Sequence, residues 1–495
     1  MRNQSSISTP RWISLYSILG AWILLALLFV HFIRSQAHFP LGTIIAKVPV
    51  GGLDRETSAQ RLLGVYMNPV EIHYDESVIH LDPAVVGFQL DFESMFAESD
   101  HARAHQPSWE RFWNYLWGFK TAPAKIPLRA SYSETKLRLY LGNEVAPRYD
   151  QPPTPAMPLV GTVNFRPAIE GTALDIERSI PLIKNALRSP AHRVVELPLL
   201  YTEPPLLSFQ NLEIFLKQTI DLAGFDGLTG LYLLDLHTGQ EIHFAYKLGK
   251  DIPTNQDVAF SAASIIKIPI MVSVLRRIGE NPSPETFKLL EEMIEKSGND
   301  PADWAMERVI DQKIAPMLVS ADMKALGLEN TFLAGQFYPG APLLALFQTP
   351  ANQRTDIDTD PDIYNQTSPS DIGKLLEGIY LCSQSGGGTL VTEFPDEITQ
   401  AECQTMIGLL TGNKLGLLIE AGVPDGTRVA HKHGWVSIAG IMNTLGDAGI
   451  VYTPGGNYVL VVFLYQPIQL IWEPASTLVA DLASAVYNYY NLPSQ

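Results

Sequence analysis

The spacing of apolar and polar positions changes along the chain, and each spacing predicts a different kind of element. Residues 12–32 are 21 consecutive positions without a formal charge, close to the roughly 20 residues with which a helix spans a bilayer core. Between residues 40 and 203, apolar and polar positions alternate in runs such as 70–82 and 192–201, which is the period of half-buried strands. The pattern predicts a membrane helix followed by a mixed region that contains strands.

From about residue 207 onward, the order of the predicted elements indicates one architecture. A helix-period run leads into two strand-like runs, GLYLLDL and EIHFAY, which a turn at 237–239 joins into a hairpin. Helical segments extend from 261 to about 380, and three strand-like runs, TRVAHKHGW, AGIVYT and NYVLVVFLYQ, precede a final helix near 474–490. This order predicts the α/β (α+β) class, with an antiparallel sheet flanked by terminal helices and a helical lobe inserted in it. A cleft is expected between the lobes.

A segment rich in aromatic residues, SWERFWNYLWGF at 108–119, has more apolar positions than a simple amphipathic stripe needs. Two interpretations are open. The segment is either part of a buried core, which is the ordinary case, or it lies at the membrane interface beside the apolar span.

Composition and charge narrow the possible functions. The chain has 495 residues, enough for two or three domains. Its 35 lysines and arginines stand against 52 acidic residues, so its formal net charge is −17. Such a charge would repel a phosphate backbone. Nucleic acid is therefore excluded as a partner.

The apolar run is predicted to be a retained transmembrane anchor at 12–33. A cleaved signal peptide is the alternative, but its apolar region is usually shorter, about 7–15 residues. Arg2 and Arg11 precede the run and Arg34 follows it, which favours a cytoplasmic N-terminus at 1–11. The expected localisation is the cell membrane, with a single pass and the rest of the chain outside the cytoplasm.

Cys382 and Cys403 are the only cysteines of the chain. In an exported domain such a pair favours a disulfide that closes a short loop. Two unrelated buried thiols are the alternative, and the spacing matches no zinc signature.

Ser264 and Lys267 stand near the front of the apolar run AFSAASIIKIPIMVSVL at 259–275. With i, i+3 spacing on a helix, the two side chains share a face and can touch. A desolvated lysine loses part of its preference for the charged form, so it can accept the serine proton and create a nucleophile. The same S-x-x-K pattern occurs at Ser133 and Lys136, before the alternating run LRLYL. There we expect a strand or a surface turn.

Two downstream motifs offer the groups that such a nucleophile needs. Ser-Gly-Asn at 297–299 ends a helix-period run. Its hydroxyl can relay a proton and its carboxamide can hold the lysine, although alone it is an ordinary helix-ending turn. Lys-His-Gly at 432–434 lies in a strand-like run, where the cation can hold a carboxylate and the glycine lets a ligand approach.

The sequence contains two incomplete metal patterns. His431 and His433 share one face of a strand-like run, but no third ligand is apparent in the sequence. The acidic run at 354–362 fails as an EF-hand loop because Pro361 stands where glycine is required, and a solvated loop is expected there. No metal and no cofactor are therefore expected.

The motifs occur in the order S-x-x-K, S-x-N, K-x-G, and in this order they resemble those of the penicillin-recognising serine hydrolases. The likeness is greatest to the class A β-lactamase-like domains. AASIIKIPIM is similar to their nucleophile helix, EKSGND to their second motif and VAHKHGW to their third. The resemblance covers about 207–492 and implies a β-lactamase-like serine hydrolase domain at 207–495, whose sheet and helical lobe agree with the predicted strand order.

The resemblance implies a role for each residue of the first two motifs. Ser264 would be the acylated nucleophile and Lys267 its activating base or proton relay. Ser297 would pass a proton to the departing nitrogen, and Asn299 would position the acyl side chain.

The third motif would bind the substrate. By the same resemblance, Lys432 would attract the substrate carboxylate, Gly434 would lie against the ligand, and the backbone N–H groups of Ser264 and Trp435 would form the oxyanion hole. His433 departs from the family, which usually has a small hydroxyl residue there. A changed carboxylate clamp with a pH dependence is therefore expected.

Two further departures concern the cleft and the release of the acyl group. The interval from Ser264 to Ser297 is short for the family, so one wall of the cleft is expected to be trimmed. No E-x-x-L-N stretch is present, and residues 330–376 contain no glutamate. Acylation followed by slow release, as in a penicillin-binding protein, is the expected behaviour.

The N-terminal region carries a second resemblance. Residues 165–199 resemble a peptidoglycan-binding module found beside cell-wall transpeptidases, so 40–203 is predicted to be a peptidoglycan-binding region. The expected partners are β-lactams or peptidoglycan peptides, the cell wall and the membrane. The alternatives to an enzyme are a penicillin-binding or wall-sensing protein, which is acylated or binds without efficient turnover, and a structural wall tether.

Overall fold

The structure is a computed structural model that describes residues 10–104, 107–119, 124–159, 161–205, 207–280, 282–438 and 440–492. Residues 1–9, most of the predicted cytoplasmic N-terminus, lie outside the described residues. Up to residue 205, the helices and strands are, in chain order, α1 (Pro10–Ser35), β1 (Ile44–Ile45), β2 (Val48–Pro49), α2 (Arg55–Tyr66), β3 (Val70–Tyr74), β4 (Ser77–Leu81), β5 (Gln89–Leu90), α3 (Phe92–Ala104), α4 (Ser108–Leu116), β6 (Lys125–Ile126), β7 (Ala130–Ser131), α5 (Glu134–Tyr140), α6 (Ala146–Tyr149), β8 (Met157–Pro158), β9 (Phe165–Arg166), β10 (Gly171–Leu174), α7 (Ile176–Leu187), β11 (Val194–Glu196) and β12 (Leu199–Thr202).

The remaining elements follow residue 207. They are α8 (Phe209–Leu222), β13 (Leu228–Asp235), β14 (Glu241–Lys247), β15 (Lys250–Ile252), β16 (Phe260–Ser261), α9 (Lys267–Ile278), α10 (Pro284–Ile294), α11 (Asn299–Ala305), α12 (Ala315–Ala325), β17 (Phe332–Leu333), β18 (Asn365–Thr367), α13 (Pro369–Ser385), α14 (Thr389–Glu393), α15 (Gln400–Thr411), β19 (Arg428–Ile438), β20 (Ile441–Tyr452), β21 (Tyr458–Tyr465) and α16 (Trp472–Tyr490).

The chain divides into two compact units. The first comprises Met1–Pro153 and Glu170–Glu203, and the second comprises Thr154–Ile169 and Pro204–Gln495. The first unit is an α+β module with its own core, in which β11 pairs in parallel with β3. The strand-like alternation at 70–82 is confirmed, and its two strands, β3 and β4, pair as an antiparallel hairpin.

The strand-like alternation at 192–201 is confirmed, and it comprises two strands, β11 and β12, which join different sheets. The prediction for the run LRLYL was wrong. The run LRLYL is helical: α5 contains it, and Ser133 is the N-cap, whose hydroxyl accepts from the N–H of Lys136. An N-cap serine satisfies an otherwise unpaired helix N–H group, which explains this copy of S-x-x-K.

Helix α1 contains a stretch, Leu15–Ser35, that is long and apolar enough to cross a membrane by length and composition, and only 6% of it is buried. A signal sequence near an N-terminus would pass the same test. The low burial distinguishes α1 from the core helix of a soluble protein.

The second unit is built on a six-stranded antiparallel sheet with the order β15-β14-β13-β21-β20-β19. Alternate residues of a strand point to opposite faces, so Leu231 and Leu233 pack toward α8 and α16, while Tyr232 and Leu234 pack toward the inserted helices. The predicted fold class is confirmed. The sheet, its terminal helices and the helical lobe are all present, with β15 as an additional edge strand.

Candidate active site

Ser264 and Lys267 lie where the helical lobe meets the sheet. Ser264 belongs to a 3-10 turn at Ala263–Ile266, and Lys267 is the first residue of α9. The residues of α9 from Ile268 to Leu275 are buried, so the apolar run anchors the turn in the core. Ser264 itself is half-buried. The sequence expectation of a polar pair at the mouth of a buried helix agrees with this placement.

Lys267 is fully buried and has three close oxygen partners. Its Nζ lies 3.0 Å from the Ser264 Oγ, 2.7 Å from the Ser297 carbonyl oxygen and 2.8 Å from the Asn299 Oδ1. Burial, reinforced by the nearby charge of Lys432, lowers the pKa of Lys267 to about 7. A neutral amine has two N–H donors and one lone pair. With the donors on the carbonyl and the carboxamide, the lone pair is left for the Ser264 hydroxyl proton.

The turn at 297–299 brings the second motif to the first. Ser297 follows α10 with a φ of 61°, a left-handed conformation that is uncommon for residues other than glycine. Its carbonyl accepts from Lys267, while its hydroxyl accepts from the Lys432 Nζ at 3.0 Å. Ser297 therefore bridges two lysines, as a proton relay between them requires.

The third motif lies on β19, the strand at the edge of the sheet. Lys432 is buried, and burial lowers its pKa to about 8 although Asp447 opposes that shift. A Cβ on Gly434 would lie 2.6 Å from the backbone nitrogen of Ser264, far inside contact distance. Only glycine lets the strand pass this close to Ser264.

The opposite face of β19 carries His431 and His433, on one face as predicted. His431 Nδ1 lies 3.0 Å from the Asp447 carboxylate, and its Nε2 lies 3.2 Å from the Glu420 Oε2. Burial alone would lower the pKa of His431, but the two carboxylates outweigh it and raise that pKa to about 9. This is a buried imidazolium–carboxylate pair.

The sequence analysis did not identify the carboxylate that lies beside the two histidines. The candidate ligand atoms of His431, His433 and Asp447 lie within 4.8 Å of one another, so the expectation that no third ligand would be near them was wrong. The reason is tertiary, because β20 places Asp447 opposite His433 in register. The hydrogen bonds between His431 and Asp447 account for the cluster as an ion pair.

His433 is not brought to the same side as Lys432. His433 is 1% exposed, and its Nδ1 lies 3.3 Å from the Asn413 Nδ2. Burial lowers the pKa of His433 to about 4. The side chain is therefore neutral at physiological pH and shielded from solvent. This arrangement does not fit the expected pH-dependent clamp at His433, whose backbone carbonyl instead accepts from Lys432 at 3.2 Å.

Trp435 is 42% exposed at the end of this row. Its ring stacks on the His433 ring with the centroids 5.6 Å apart, and the Trp472 ring meets it edge-on. The row of rings gives the exposed end of β19 an apolar surface on the face opposite Lys432.

Two residues of the site were not predicted from the sequence. Asp303, on α11, is buried and accepts the N–H groups of Phe337 and Tyr338. The Phe337 ring then lies over Lys267, with Nζ 5.3 Å from the ring centroid. Asp303 follows Asn299 by four residues on one helix face, which is the signal that could have pointed to it.

No carboxylate forms a hydrogen bond with Ser264 or Lys267 among the residues that the structure describes. Asp303 is the acidic neighbour of Lys267, but backbone N–H groups occupy its oxygens. In the acidic run, Asp356, Asp358 and Asp360 are exposed, as expected of a solvated loop, whereas Asp362 is half-buried and accepts the N–H group of Tyr364. A base for activating water is therefore not evident around the described site.

The two cysteines are joined in the structure. Cys382 on α13 and Cys403 on α15 are both buried, and the disulfide between them spans a Cα–Cα distance of 5.8 Å. The bond ties two helices of the helical lobe together.

Comparisons with known proteins agree with the motifs. The family model described as the beta-lactamase enzyme family matches residues 213–283 and 282–490, more than half of the chain. Similar solved structures include PBP-A, with 21% identity over 58% of this chain and 98% of that chain at a TM-score of 0.41. A β-lactamase from Desulfarculus baarsii has 15% identity over 58% and 100% at 0.41, and an ancestral class A β-lactamase has 20% over 56% and 98% at 0.39. No curated protein matches.

Proposed function

The chain belongs to the beta-lactamase enzyme family, and from this membership we propose that it is a serine hydrolase of the β-lactamase or D,D-peptidase type. Its substrates are β-lactams or the stem peptides of peptidoglycan. The reaction forms an acyl-enzyme at Ser264 and cleaves an amide. The observation that carries the proposal is the position of Lys267, whose buried Nζ touches Ser264, Ser297 and Asn299 together.

Acylation begins when neutral Lys267 takes the Ser264 hydroxyl proton. The Oγ then attacks the amide carbonyl carbon, and the carbonyl oxygen becomes the oxyanion of a tetrahedral intermediate. The backbone N–H groups of Ser264 and Trp435 stabilise that oxyanion. When the C–N bond breaks, Ser297 donates its hydroxyl proton to the leaving nitrogen and recovers one from Lys267 or Lys432.

Lys432 binds the substrate carboxylate by charge. Its buried ammonium has two oxygen partners, the Ser297 hydroxyl and the His433 carbonyl, so it has donor capacity left for a ligand. Asn299 is exposed while its Oδ1 accepts from Lys267, which leaves its amide N–H₂ group for the acyl side chain.

The same site supports a second candidate function. A penicillin-binding or wall-sensing protein would be acylated in the same way but would release the acyl group slowly. The observation that favours slow release is that the carboxylate whose charge acts on Lys267 is that of Asp303, and its oxygens already accept the N–H groups of Phe337 and Tyr338. Deacylation needs a base for the attacking water.

The proposal includes location and binding to the wall. α1 anchors the chain in the cell membrane by a single pass, with the catalytic unit outside the cytoplasm, and the region 40–203 binds peptidoglycan. The exposed apolar surface of α1 and the Cys382–Cys403 disulfide support an exported protein, since disulfides persist in oxidising compartments.

Intact-mass spectrometry of the full chain in detergent tests the proposal. The chain is mixed with benzylpenicillin, and hydrolysis of nitrocefin is followed in parallel. We expect an adduct in the wild type that is absent in Ser264→Ala. Ser133→Ala is the matched control, because Ser133 has the same S-x-x-K spacing but caps α5.

Each outcome has a defined meaning. A persistent adduct without turnover indicates the penicillin-binding function, and rapid serine-dependent turnover indicates a working β-lactamase. An adduct that survives in Ser264→Ala, or the absence of both adduct and turnover, contradicts the acyl-serine assignment for these substrates.

A further inference from the structure

Helix α4 presents large aromatic side chains to solvent, and the interpretation of its segment as buried core was wrong. None of its residues is buried. Trp109, Trp113, Trp117 and Phe119 are 67%, 50%, 70% and 68% exposed. Four large exposed rings in and just after one short helix indicate a partner, because soluble surfaces rarely leave large apolar patches in water.

The three tryptophans follow one another at intervals of four residues, so they line one stripe of the helix and its C-cap. Glu110, Asn114 and Arg111 follow the stripe around the helix as a polar arc that begins beside it, and Tyr115, Phe112 and Leu116 complete the apolar side. α4 is thus strongly amphipathic, with tryptophan as its main apolar residue. This composition is typical of helices that lie in the plane of a membrane interface.

The side of α4 next to the tryptophan stripe packs on α1. The Phe112 ring meets the Phe29 and Phe32 rings of α1 at centroid distances of 5.2 and 5.3 Å, and Tyr115 lies 5.5 Å from Phe32. α4 therefore packs on the C-terminal end of the one described helix that is apolar enough to cross a membrane.

The height of this contact fits a bilayer interface. With a rise of 1.5 Å per residue, Phe29 and Phe32 lie about 9 Å and about 4.5 Å before the end of α1 at Ser35. An interfacial helix buries its apolar face about 5–10 Å into the boundary between headgroups and acyl chains. α4 contacts the predicted span at that depth.

Polar contacts hold α4 at this height. Arg111 donates to the Gln36 Oε1 at 3.2 Å, and Arg103 donates to the backbone oxygens of Gln36 and His38 at 2.9 Å. The chain leaving α1 is therefore bonded to α4 and to the end of α3, so α4 cannot turn independently of the anchor.

We propose that α4 is a tryptophan-rich interfacial helix, which inserts Trp109, Trp113 and Trp117 into the outer headgroup region of the bilayer that α1 spans. The occupant of its apolar face is the lipid surface. The inference rests on the membrane anchoring in the proposed function and adds a second contact with the membrane, which fixes the first unit of the chain at the bilayer surface.

The test uses the full chain reconstituted in phosphatidylcholine vesicles whose acyl chains carry bromine either near the glycerol end or near the methyl end. Replacing Trp12 and Trp22 with phenylalanine leaves six of the eight tryptophans. We expect shallow bromine to quench roughly half of the remaining emission, since three of the six belong to the stripe, and deep bromine to quench much less. The triple change Trp109→Ser, Trp113→Ser and Trp117→Ser should abolish the shallow quenching.

The matched control replaces three exposed apolar residues of the same unit outside α4, by Val194→Ser, Leu200→Ser and Tyr201→Ser. This variant should keep the full shallow quenching. Resistance to extraction by alkaline carbonate is measured on every variant, because it reports the anchor alone. Penicillin adduct formation, which reports the catalytic unit, should be unchanged in all of them.

Shallow quenching that disappears in the triple variant alone, with carbonate resistance retained, supports the interfacial helix. Carbonate resistance without shallow quenching overturns it while the anchor stands, and extraction by carbonate overturns both. Quenching that is equally strong from deep bromine means insertion into the bilayer core. Stripe-dependent dimers without lipid quenching mean that a second copy covers the face. Either result contradicts the proposal.

Discussion

The charge of Lys432 should help to keep Lys267 neutral, and Lys432→Met tests this directly. Burial is the largest cause of the low pKa of Lys267, and the charge of Lys432 adds to it. The two Nζ atoms lie 3.4 and 3.0 Å from the same Ser297 Oγ. Because burial holds the pKa of Lys432 at about 8, this side chain is mostly charged at neutral pH and repels a proton on Lys267.

The magnitude follows from Coulomb's law. Two nitrogens that share one hydroxyl partner at these distances are at most about 6 Å apart, and two unit charges at that distance repel by roughly 3 kcal/mol at an effective dielectric constant of about 20. This energy corresponds to about two pKa units. Removing the charge should therefore raise the pKa of Lys267 by one to two units, to about 8–9.

The assay is the second-order rate constant of acylation by benzylpenicillin between about pH 5.5 and pH 9.5. Lys267 acts as a base only when it is neutral, so the wild-type rate should rise with pH through its pKa of about 7. The rate should fall again above about pH 8, where Lys432 loses the charge that binds the substrate carboxylate. In Lys432→Met the rising inflection should move up by one to two units and the fall should disappear, while the maximal rate is lower because carboxylate binding is weaker.

Lys432→Arg is the matched control, because it keeps the charge and should keep the inflection near its wild-type position. An unchanged inflection in Lys432→Met would refute the reasoning, since acylation would then not depend on a proton that Lys432 repels. An equal shift in Lys432→Arg would attribute the effect to lost geometry instead of lost charge.

Three further predictions concern stability and fit. Lys267→Met should stabilise the fold by about 2–4 kcal/mol at pH 6, because the lowered pKa shows that burying the charged lysine costs folding free energy. In urea unfolding this gain should shrink as the pH rises from about 7 toward 10.5, and a gain that does not depend on pH would contradict the prediction. Gly434→Ala should lower the acylation rate about a hundredfold while the near-UV circular dichroism is retained, because the added Cβ would displace the Ser264 backbone. An unchanged rate would contradict this prediction, because it would mean that the strand can shift freely. Replacing Cys382 and Cys403 with alanine should lower the free energy of unfolding by about 3 kcal/mol relative to the oxidised wild type. The reduced wild type is the control, and it should lose the same amount if the disulfide is the cause.

Much of the fold could be predicted because it depends on local patterns. The period of apolar positions identified the sheet strands, the terminal helices and the inserted helical lobe of the second unit. The errors arose where the tertiary context overrides a local pattern. The run LRLYL alternates like a strand but belongs to helix α5, whose N-cap is Ser133. The aromatic segment of α4 contacts the end of α1 and not a buried core.

The sequence by itself determined which groups are available for chemistry: a serine and a lysine one helical turn apart, a turn with a hydroxyl and a carboxamide, and a lysine on a strand. The tertiary structure alone decided what these groups do to one another. Lys432 meets Ser297 across 135 positions of sequence, and Asp447 reaches His431 from the neighbouring strand. The physical reason is that a proton affinity depends on burial and on nearby charges, and both are properties of the packed chain.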